Sequence, residues 1–432
     1  MTYEEAVAYI HSISKFGVKL GLENMKKLLE MMGHPDRSYK IVHVAGTNGK
    51  GSTCAMIDSV LRAAGYKTGL YTSPYLEVFN ERIRINGENI PDSDLVKMVD
   101  YVKPLAEQMV KEGYNHPTEF EFITAIALKY YEIQKVDIAV LEVGLGGRFD
   151  ATNSVERTDV SVITTIDMDH MKTLGNTIEK IAFEKAGIIR NNGLVVTYPQ
   201  KDEAMAVIEE RCRELSARLI KVDMASLRVK KATHAGEVFD YKHLKNVEIG
   251  LVGMHQVLNA ATAIEALWTL EKNGVSISEK ALLEGLKCAR WPGRLEVLRE
   301  HPFIVIDGAH NPQGASTLAK NIKDLFIYKR LILVIGVLKD KDVDGILNNI
   351  APFADVVIAT RPDSYRALDA DVLAEMIKMR VKCQVTAIED IGQAVRRAIE
   401  LAGKDDMVLF CGSLYLIGHV REILRFDIIP TL

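Results

Sequence analysis

The chain has 432 residues, 48% hydrophobic and 26% charged, with a formal net charge of −4 at pH 7. At roughly 100–200 residues per domain, that is a globular protein of two or three domains. The charge balance excludes the basic footprint of a nucleic-acid binder or of a protein held on an anionic membrane.

The opening, "MTYEEAVAYIHSI", is acidic and amphipathic, without the basic n-region and long apolar run of a signal peptide. No stretch reaches the roughly 20 apolar residues of a membrane span. The five cysteines (Cys54, Cys212, Cys288, Cys383 and Cys411) are scattered and lack metal-site spacing. They read as buried free thiols, and the expected compartment is a reducing cytoplasm.

In chain order, the predicted strands are "YKIVHVAG", "YKTGLYT", "VDIAVLEVG", "DVSVITTI", "GLVVTYP", "FIVIDGAH", "LILVIGVL", "DVVIAT" and "DMVLFCGS". Most are continuous Val/Ile/Leu runs, which suits parallel strands buried on both faces. Helix-period segments lie between them, so the units are βαβ. "STCAMIDSVLRAAG" places Met56, Val60 and Ala64 on one helical face and stops at Gly65. In "HPTEFEFITAIALKYYEIQK", Thr118 is the N-cap and Glu121 completes a capping box. Residues 224–250 read as short antiparallel strands, an excursion from the first domain. Trp-Pro-Gly in "ARWPGRLEVL" breaks the preceding helix, and a fresh β/α alternation starts at Phe303. The expected fold is α/β: a P-loop NTPase-like, mostly parallel-sheet N-terminal domain over 1–296, and a smaller Rossmann-like α/β C-terminal domain over 297–432.

The stretch "KIVHVAGTNGKGSTCAMI" combines a strand, a glycine turn and a helix start. Its glycines, Gly49 and Gly51 among them, let the backbone approach a ligand, and the helix N-terminus favours an anion. Lys50 supplies a cation for phosphate and Ser52 a hydroxyl for magnesium. The competing reading, a plain strand-to-helix turn, is the weaker one given the strand before and the helix after. The spelling is unusual: position 44 is Val where the common phosphate loop has Gly, and Gly51 separates Lys50 from Ser52.

That spelling, "GTNGKGS", resembles the ATP loop of the Mur ligase superfamily, and with Gly51 that of the folylpolyglutamate synthase/dihydrofolate synthase family. The resemblance continues through "LYTSPYLEVFNERIRING", "PTEFEFITA", "LEVGLGGRFDATN", "DHMKTLGNTIEKIAFEKAGI", "LVGMHQVLNAATAI", "WPGRLE", "VIDGAHNP" and "GSLYL". It implies an ATP-dependent ligase that joins L-glutamate to a reduced folate, or to dihydropteroate, through an acyl phosphate. It further implies two magnesium ions and a monomer acting on small molecules, with no nucleic acid or membrane partner.

The resemblance also distributes roles. Glu142 ends the apolar run "IAVLE", where a carboxylate needs a partner; an ion pair competes with a metal there. Ser73, on its own a Ser-Pro turn, and His170, on its own a structural histidine, match the family's metal-site residues. Tyr75 stands where the family often has His or an apolar residue. Lys185, which reads as a solvated helix lysine, matches a lysine that is carbamylated to help hold the second ion. Carbamylation requires a neutral amine, hence a lowered pKa. Asn259 matches an ATP contact, with His255 and Gln256 at the same helix start. Arg294, otherwise a linker salt bridge, suits a γ-phosphate in transfer. Asp307 is carried over as an ATP contact, with His310 nearby as a catalytic candidate beside Lys50 and Lys185. On the substrate side, Phe120, Phe122, Arg148, Asp150 and the segment 19–25 match parts that approach the pterin. Phe120 and Phe122 can stack on a pterin ring, though core packing is the stronger reading for at least one of them.

Three rivals stand beside this reading. Mur-type ligases of cell-wall peptides usually carry an extra N-terminal substrate domain, whereas the loop here begins by Gly46. A guanine-nucleotide switch needs Asn-Lys-x-Asp, and the nearest string is "LKDKD" at 338–342. A nucleotide-binding protein without catalysis would release no phosphate in response to glutamate.

Overall fold

The structure, a computed structural model, describes residues 1–16 and 21–425. Lys19 and Leu20 of the predicted pterin-side segment therefore lie outside the described residues. The chain divides into two compact units. The first comprises Met1–Leu227, Tyr241–His243 and Leu258–Ala289; the second comprises Arg228–Asp240, Leu244–Val257 and Arg290–Leu432.

The first unit is built on a sheet with, in chain order, β1 (Lys40–Ala45), β2 (Thr68–Tyr71), β3 (Ile83–Ile85), β4 (Glu88–Asn89), β5 (Ile138–Glu142), β6 (Val160–Ile163), β7 (Leu194–Thr197) and β8 (Arg218–Lys221). Their spatial order is β4-β3-β2-β5-β1-β6-β7-β8. β2, β5, β1, β6, β7 and β8 run parallel, and β3 and β4 add an antiparallel edge. Residues 138–142 of β5 and 41–45 of β1 are buried throughout, as expected of central parallel strands covered on both faces.

The helix Lys50–Ala63 follows β1 directly. It was expected to be amphipathic, but Ser52–Leu61 are all buried. The reason is a second helix, Glu279–Cys288, which packs on it at Ser59 and Val60. A Cβ on Gly285 would come 2.4 Å from the Val60 Cα, and Ser59 Oγ donates to the Gly285 carbonyl at 2.7 Å. Glycine at 285 thus permits a backbone-level approach that encloses the phosphate-loop helix.

The helix Glu119–Ile133 begins as predicted. Glu121 N donates to Thr118 Oγ1 at 3.3 Å, and Thr118 N donates to Glu121 Oε2 at 2.8 Å. Thr118→Ala removes a buried cap and is expected to cost about 1 kcal/mol of stability in urea unfolding. A change indistinguishable from zero would show that the box does not hold this helix.

Three strands, β9 (Leu227–Thr233), β10 (Gly236–Tyr241) and β11 (Leu244–Ile249), form a separate small sheet in the order β11-β10-β9. Most of it belongs to the second unit rather than to an excursion of the first. The second unit's main sheet contains β12 (Glu296–Glu300), β13 (Phe303–Ile306), β14 (Leu331–Ile335), β15 (Val356–Ala359), β16 (Gln384–Ala387) and β17 (Met407–Cys411). Its order is β12-β13-β17-β14-β15-β16, parallel except for β12. Because β12 pairs with β13, the expected boundary at 296 falls just inside this unit.

The cysteines are free, but only Cys54, Cys212 and Cys411 are buried. Cys288 is exposed at a helix end and Cys383 half-buried beside the edge strand β16. No helix among the described residues is long and apolar enough to cross a membrane.

Candidate active site

In the first unit, the predicted residues gather at the carboxyl ends of β1, β2, β5 and β6, where open α/β sheets place their ligands. Gly49 is the N-cap of the phosphate-loop helix at φ +85°, and a Cβ there would meet Asn259 Oδ1 at 2.5 Å. Asn259 therefore lies against the loop. Gly46 is equally constrained: its Cβ would overlap Thr164 Oγ1, which donates to the Asn48 carbonyl at 2.8 Å. Thr164 was not anticipated; only its place after a central strand signals it. Gly49→Ala is expected to weaken magnesium-nucleotide binding about tenfold or more in calorimetry, since the turn favours glycine and the new methyl displaces Asn259. Unchanged affinity would remove Gly49 from the site.

Two lysines converge on the loop. Lys50 Nζ donates to the Gly46 carbonyl at 3.1 Å and to Thr47 at 3.2 Å. Lys185 Nζ donates to the same Gly46 carbonyl at 2.8 Å. Lys185 is 4% exposed, not the solvated lysine its helix suggests. Burial, then the nearby Lys50 charge, lowers its pKa from the usual 10.5 to about 7, against the opposing pull of Asp169 and Asp150. Such an amine is partly neutral at physiological pH, and therefore nucleophilic.

Glu142, buried at the end of β5, accepts a hydrogen bond from Ser73 N at 3.2 Å. Ser52 is buried at the start of the loop helix. These oxygen donors fit a magnesium ion. His170 follows β6 in a left-handed conformation, φ 49°, and is exposed beside Asp169. Among the described residues, no three His, Cys, Asp or Glu side chains gather to hold a metal. A cation at Glu142 would therefore complete its shell with hydroxyl, phosphate and water oxygens, as magnesium does.

On the substrate side, Phe122 is fully buried and packs edge-on to Tyr9 with ring centroids 5.7 Å apart, so it offers no face to a ligand. Phe120 is half-buried; a Cβ on Gly144 would meet its ring at 2.5 Å. Arg148 pairs with Glu184 at 2.7 Å and lies over the rings of Phe149 and Phe183. The Asp150 carboxylate is occupied by protein donors: Leu145 N at 2.8 Å, Thr152 N at 3.1 Å and Thr152 Oγ1. Thr152 Oγ1 in turn lies 2.8 Å from Nε2 of His43, which is fully buried on β1. Burial, with the Arg190 charge second, lowers the His43 pKa to about 3 and keeps its ring neutral. This line of residues beneath Asp150 was not anticipated, because His43 reads as one more position of an apolar strand.

The second unit assembles its own group at the carboxyl end of β13. Asp307 accepts from Leu295 N and Ala309 N, both at 2.7 Å. Its pKa is raised by burial, against the opposing charge of Arg294. A Cβ on Gly308 would come 2.6 Å from Arg294 Nη1, so the guanidinium lies on that glycine. His310 Nδ1 donates to the Gly308 carbonyl at 2.8 Å. Arg294, Asp307 and His310 are thus brought together within one unit.

Comparison with known proteins identifies the family. Residues 44–267 match the Mur ligase middle domain, and residues 293–414 match the Mur ligase glutamate ligase domain. The chain is 41% identical over 430 residues to the dihydrofolate synthase/folylpolyglutamate synthase of Bacillus subtilis, covering 98% of this chain and 99% of that protein. A folylpolyglutamate synthase of Mycobacterium tuberculosis, solved with ADP, superposes with a TM-score of 0.90 at 32% identity, covering 98% of this chain and 99% of that one. A bifunctional folylpolyglutamate synthase/dihydrofolate synthase, solved with Mn, AMPPNP and L-glutamate, superposes with a TM-score of 0.84 at 31% identity, covering 99% of this chain and 98% of that one. Identity of this order over nearly the full length of both chains, together with the two Mur ligase domain matches, places the chain in the folylpolyglutamate synthase/dihydrofolate synthase family of ATP-dependent Mur-type ligases.

Proposed function

We propose that this chain adds L-glutamate to a reduced folate at the expense of ATP, and that it also accepts dihydropteroate. The observation that carries the reading is the convergence of Lys50 and buried Lys185 on the Gly46 carbonyl, beside Glu142 at the end of β5. Lys50, Gly49, Gly51, Ser52 and Asn259 hold the phosphates, and Arg294 and Asp307 are the further ATP contacts. The pterin's free carboxylate attacks the γ-phosphorus and ADP leaves. The glutamate amine then attacks the acyl carbon, phosphate departs, and the amine proton is lost as the amide forms. Such a transfer needs positioning and charge neutralisation more than covalent help. Bound magnesium supplies that neutralisation, with Glu142, Ser73 and His170 as its protein ligands. Lys185 carries a carbamate: its neutral amine adds to CO2 with loss of a proton, and the new carboxylate helps hold a second ion. Phe120 lies along the pterin, Asp150 holds the turn beneath it, and His310 orients the group around Asp307. The protein acts as a cytoplasmic monomer.

The test is purified protein with ATP, magnesium and glutamate, offered tetrahydrofolate and dihydropteroate separately, with products read by mass. The proposal expects each acceptor to gain one glutamyl residue with release of phosphate. Turnover of tetrahydrofolate alone would make the enzyme monofunctional. Turnover of neither would overturn the reading in favour of a non-catalytic nucleotide binder.

A further inference from the structure

The three-stranded sheet β9–β11 carries none of the residues given roles above, yet it holds a buried acid. Glu237, on β10, is 1% exposed. Its Oε1 accepts the Gly253 N–H at 2.8 Å, and its Oε2 has no hydrogen-bond partner among the described residues. A carboxyl in such a place is costly to keep. Burial raises its pKa, which favours the neutral acid.

Its partner sits at a sensitive point. Gly253 immediately precedes the helix Met254–Lys272, which carries His255, Gln256 and Asn259. It has φ +111°, and a Cβ there would meet Asn321 Nδ2 and the His255 ring carbon Cε1, both at 2.7 Å. The Gly253 carbonyl accepts from Gln256 N at 2.8 Å, which starts the helix. His255 Nδ1 lies 3.3 Å from Asn321 Nδ2, so the amide donates to an unprotonated ring nitrogen. Burial, with the Arg294 charge second, lowers the His255 pKa to about 4, consistent with that neutral ring. One hydrogen bond donated by Gly253 N–H to Glu237 thus fixes the turn that sets the direction of His255 and Gln256.

We infer that Glu237 is a positioning residue for nucleotide binding: by clamping Gly253 N–H it holds the first turn of the Met254–Lys272 helix in its nucleotide-binding orientation. The small sheet is then a brace for this helix rather than an inert insertion. The inference rests on the reading of that helix as part of the ATP site.

The test compares Glu237→Leu, which keeps the bulk but loses the acceptor, with Glu237→Gln, which keeps it. Magnesium-ADP affinity is read by calorimetry, and KM for glutamate and for the pterin by turnover, all on the full chain. Glu237→Leu is expected to weaken nucleotide binding about tenfold, the size of one buried hydrogen bond lost, with both other KM values within about twofold. Glu237→Gln is expected to restore nucleotide affinity. Gly253→Ala disturbs the same turn from the other side and is expected to reproduce the nucleotide-selective defect, which guards against Glu237→Leu failing to fold. Wild-type nucleotide affinity in Glu237→Leu, or an equal loss for all three substrates that Gln does not restore, would overturn the inference. Asn259→Ala separates the two levels. If it loses nucleotide while Glu237→Leu does not, the positioning role alone is wrong; if it binds normally, the nucleotide reading of this helix falls and the inference with it.

Discussion

Lys185→Met is expected to reduce turnover by about a thousandfold or more while making the protein more stable at neutral pH. The first half follows from the site: the variant loses a cation that bonds the Gly46 carbonyl and the amine that the proposal carbamylates. The second half follows from linkage. The folded pKa, about 7, lies below the unfolded value of 10.5. Between those values the unfolded chain binds a proton that the folded chain does not, so stability rises with pH across that window. The penalty for burying the ammonium is therefore fully present below pH 7 and fades as the pH approaches 10.5. Each unit is worth about 1.4 kcal/mol, but the variant also leaves the Gly46 carbonyl short of a donor, at about 1–3 kcal/mol. A net gain of about 2–4 kcal/mol at pH 6, shrinking towards pH 10, is the expected result in CO2-free buffer. A gap that stays constant or widens with pH would show that the buried amine is not the source.

In the role proposed for Arg294, Arg294→Ala is expected to lower kcat about a hundredfold to a thousandfold, the range for deleting one preorganised charge. Stability should change by less than about 1 kcal/mol, because Asp307 keeps its backbone donors from Leu295 and Ala309. A guanidinium fork that engages the γ-phosphate mainly in the transition state affects turnover more than ground-state binding. KM for ATP is therefore expected to move by less than about tenfold, far less than kcat. Near-normal kcat with a stability loss of several kcal/mol would instead make Arg294 a structural ion-pair partner of Asp307.

The parts of the fold that were legible are those whose burial is symmetrical. β1, β5, β14 and β17 are covered on both faces and so read as unbroken apolar runs. β8 and β16 lie at sheet edges and are half-exposed; their "RLIK" and "QVTA" carry no such run. The stripe on the helix Lys50–Ala63 understated its burial because Gly285, far along the chain, brings a second helix against Ser59 and Val60. The site divides in the same way. Gly49, Lys50 and Ser52 are neighbours in sequence, so their joint chemistry could be read directly. The burial of Lys185 could not, because its helix shows an ordinary cationic position and only the packing against the phosphate loop makes the amine unusual. Glu237 was hidden for a related reason: an acid in a short strand looks solvated until the sheet closes over it.

The central claim is that ATP is spent on activating the pterin's carboxylate before glutamate attacks, and oxygen tracing tests it most directly. Tetrahydrofolate labelled with 18O in its γ-carboxylate would be incubated with the enzyme, ATP, magnesium and glutamate, and the released phosphate analysed by mass. Attack of the carboxylate on the γ-phosphorus, followed by C–O cleavage as the amide forms, leaves one carboxylate oxygen in each phosphate. The account predicts one 18O per phosphate, in step with the glutamylated product. Product formed with unlabelled phosphate would contradict it.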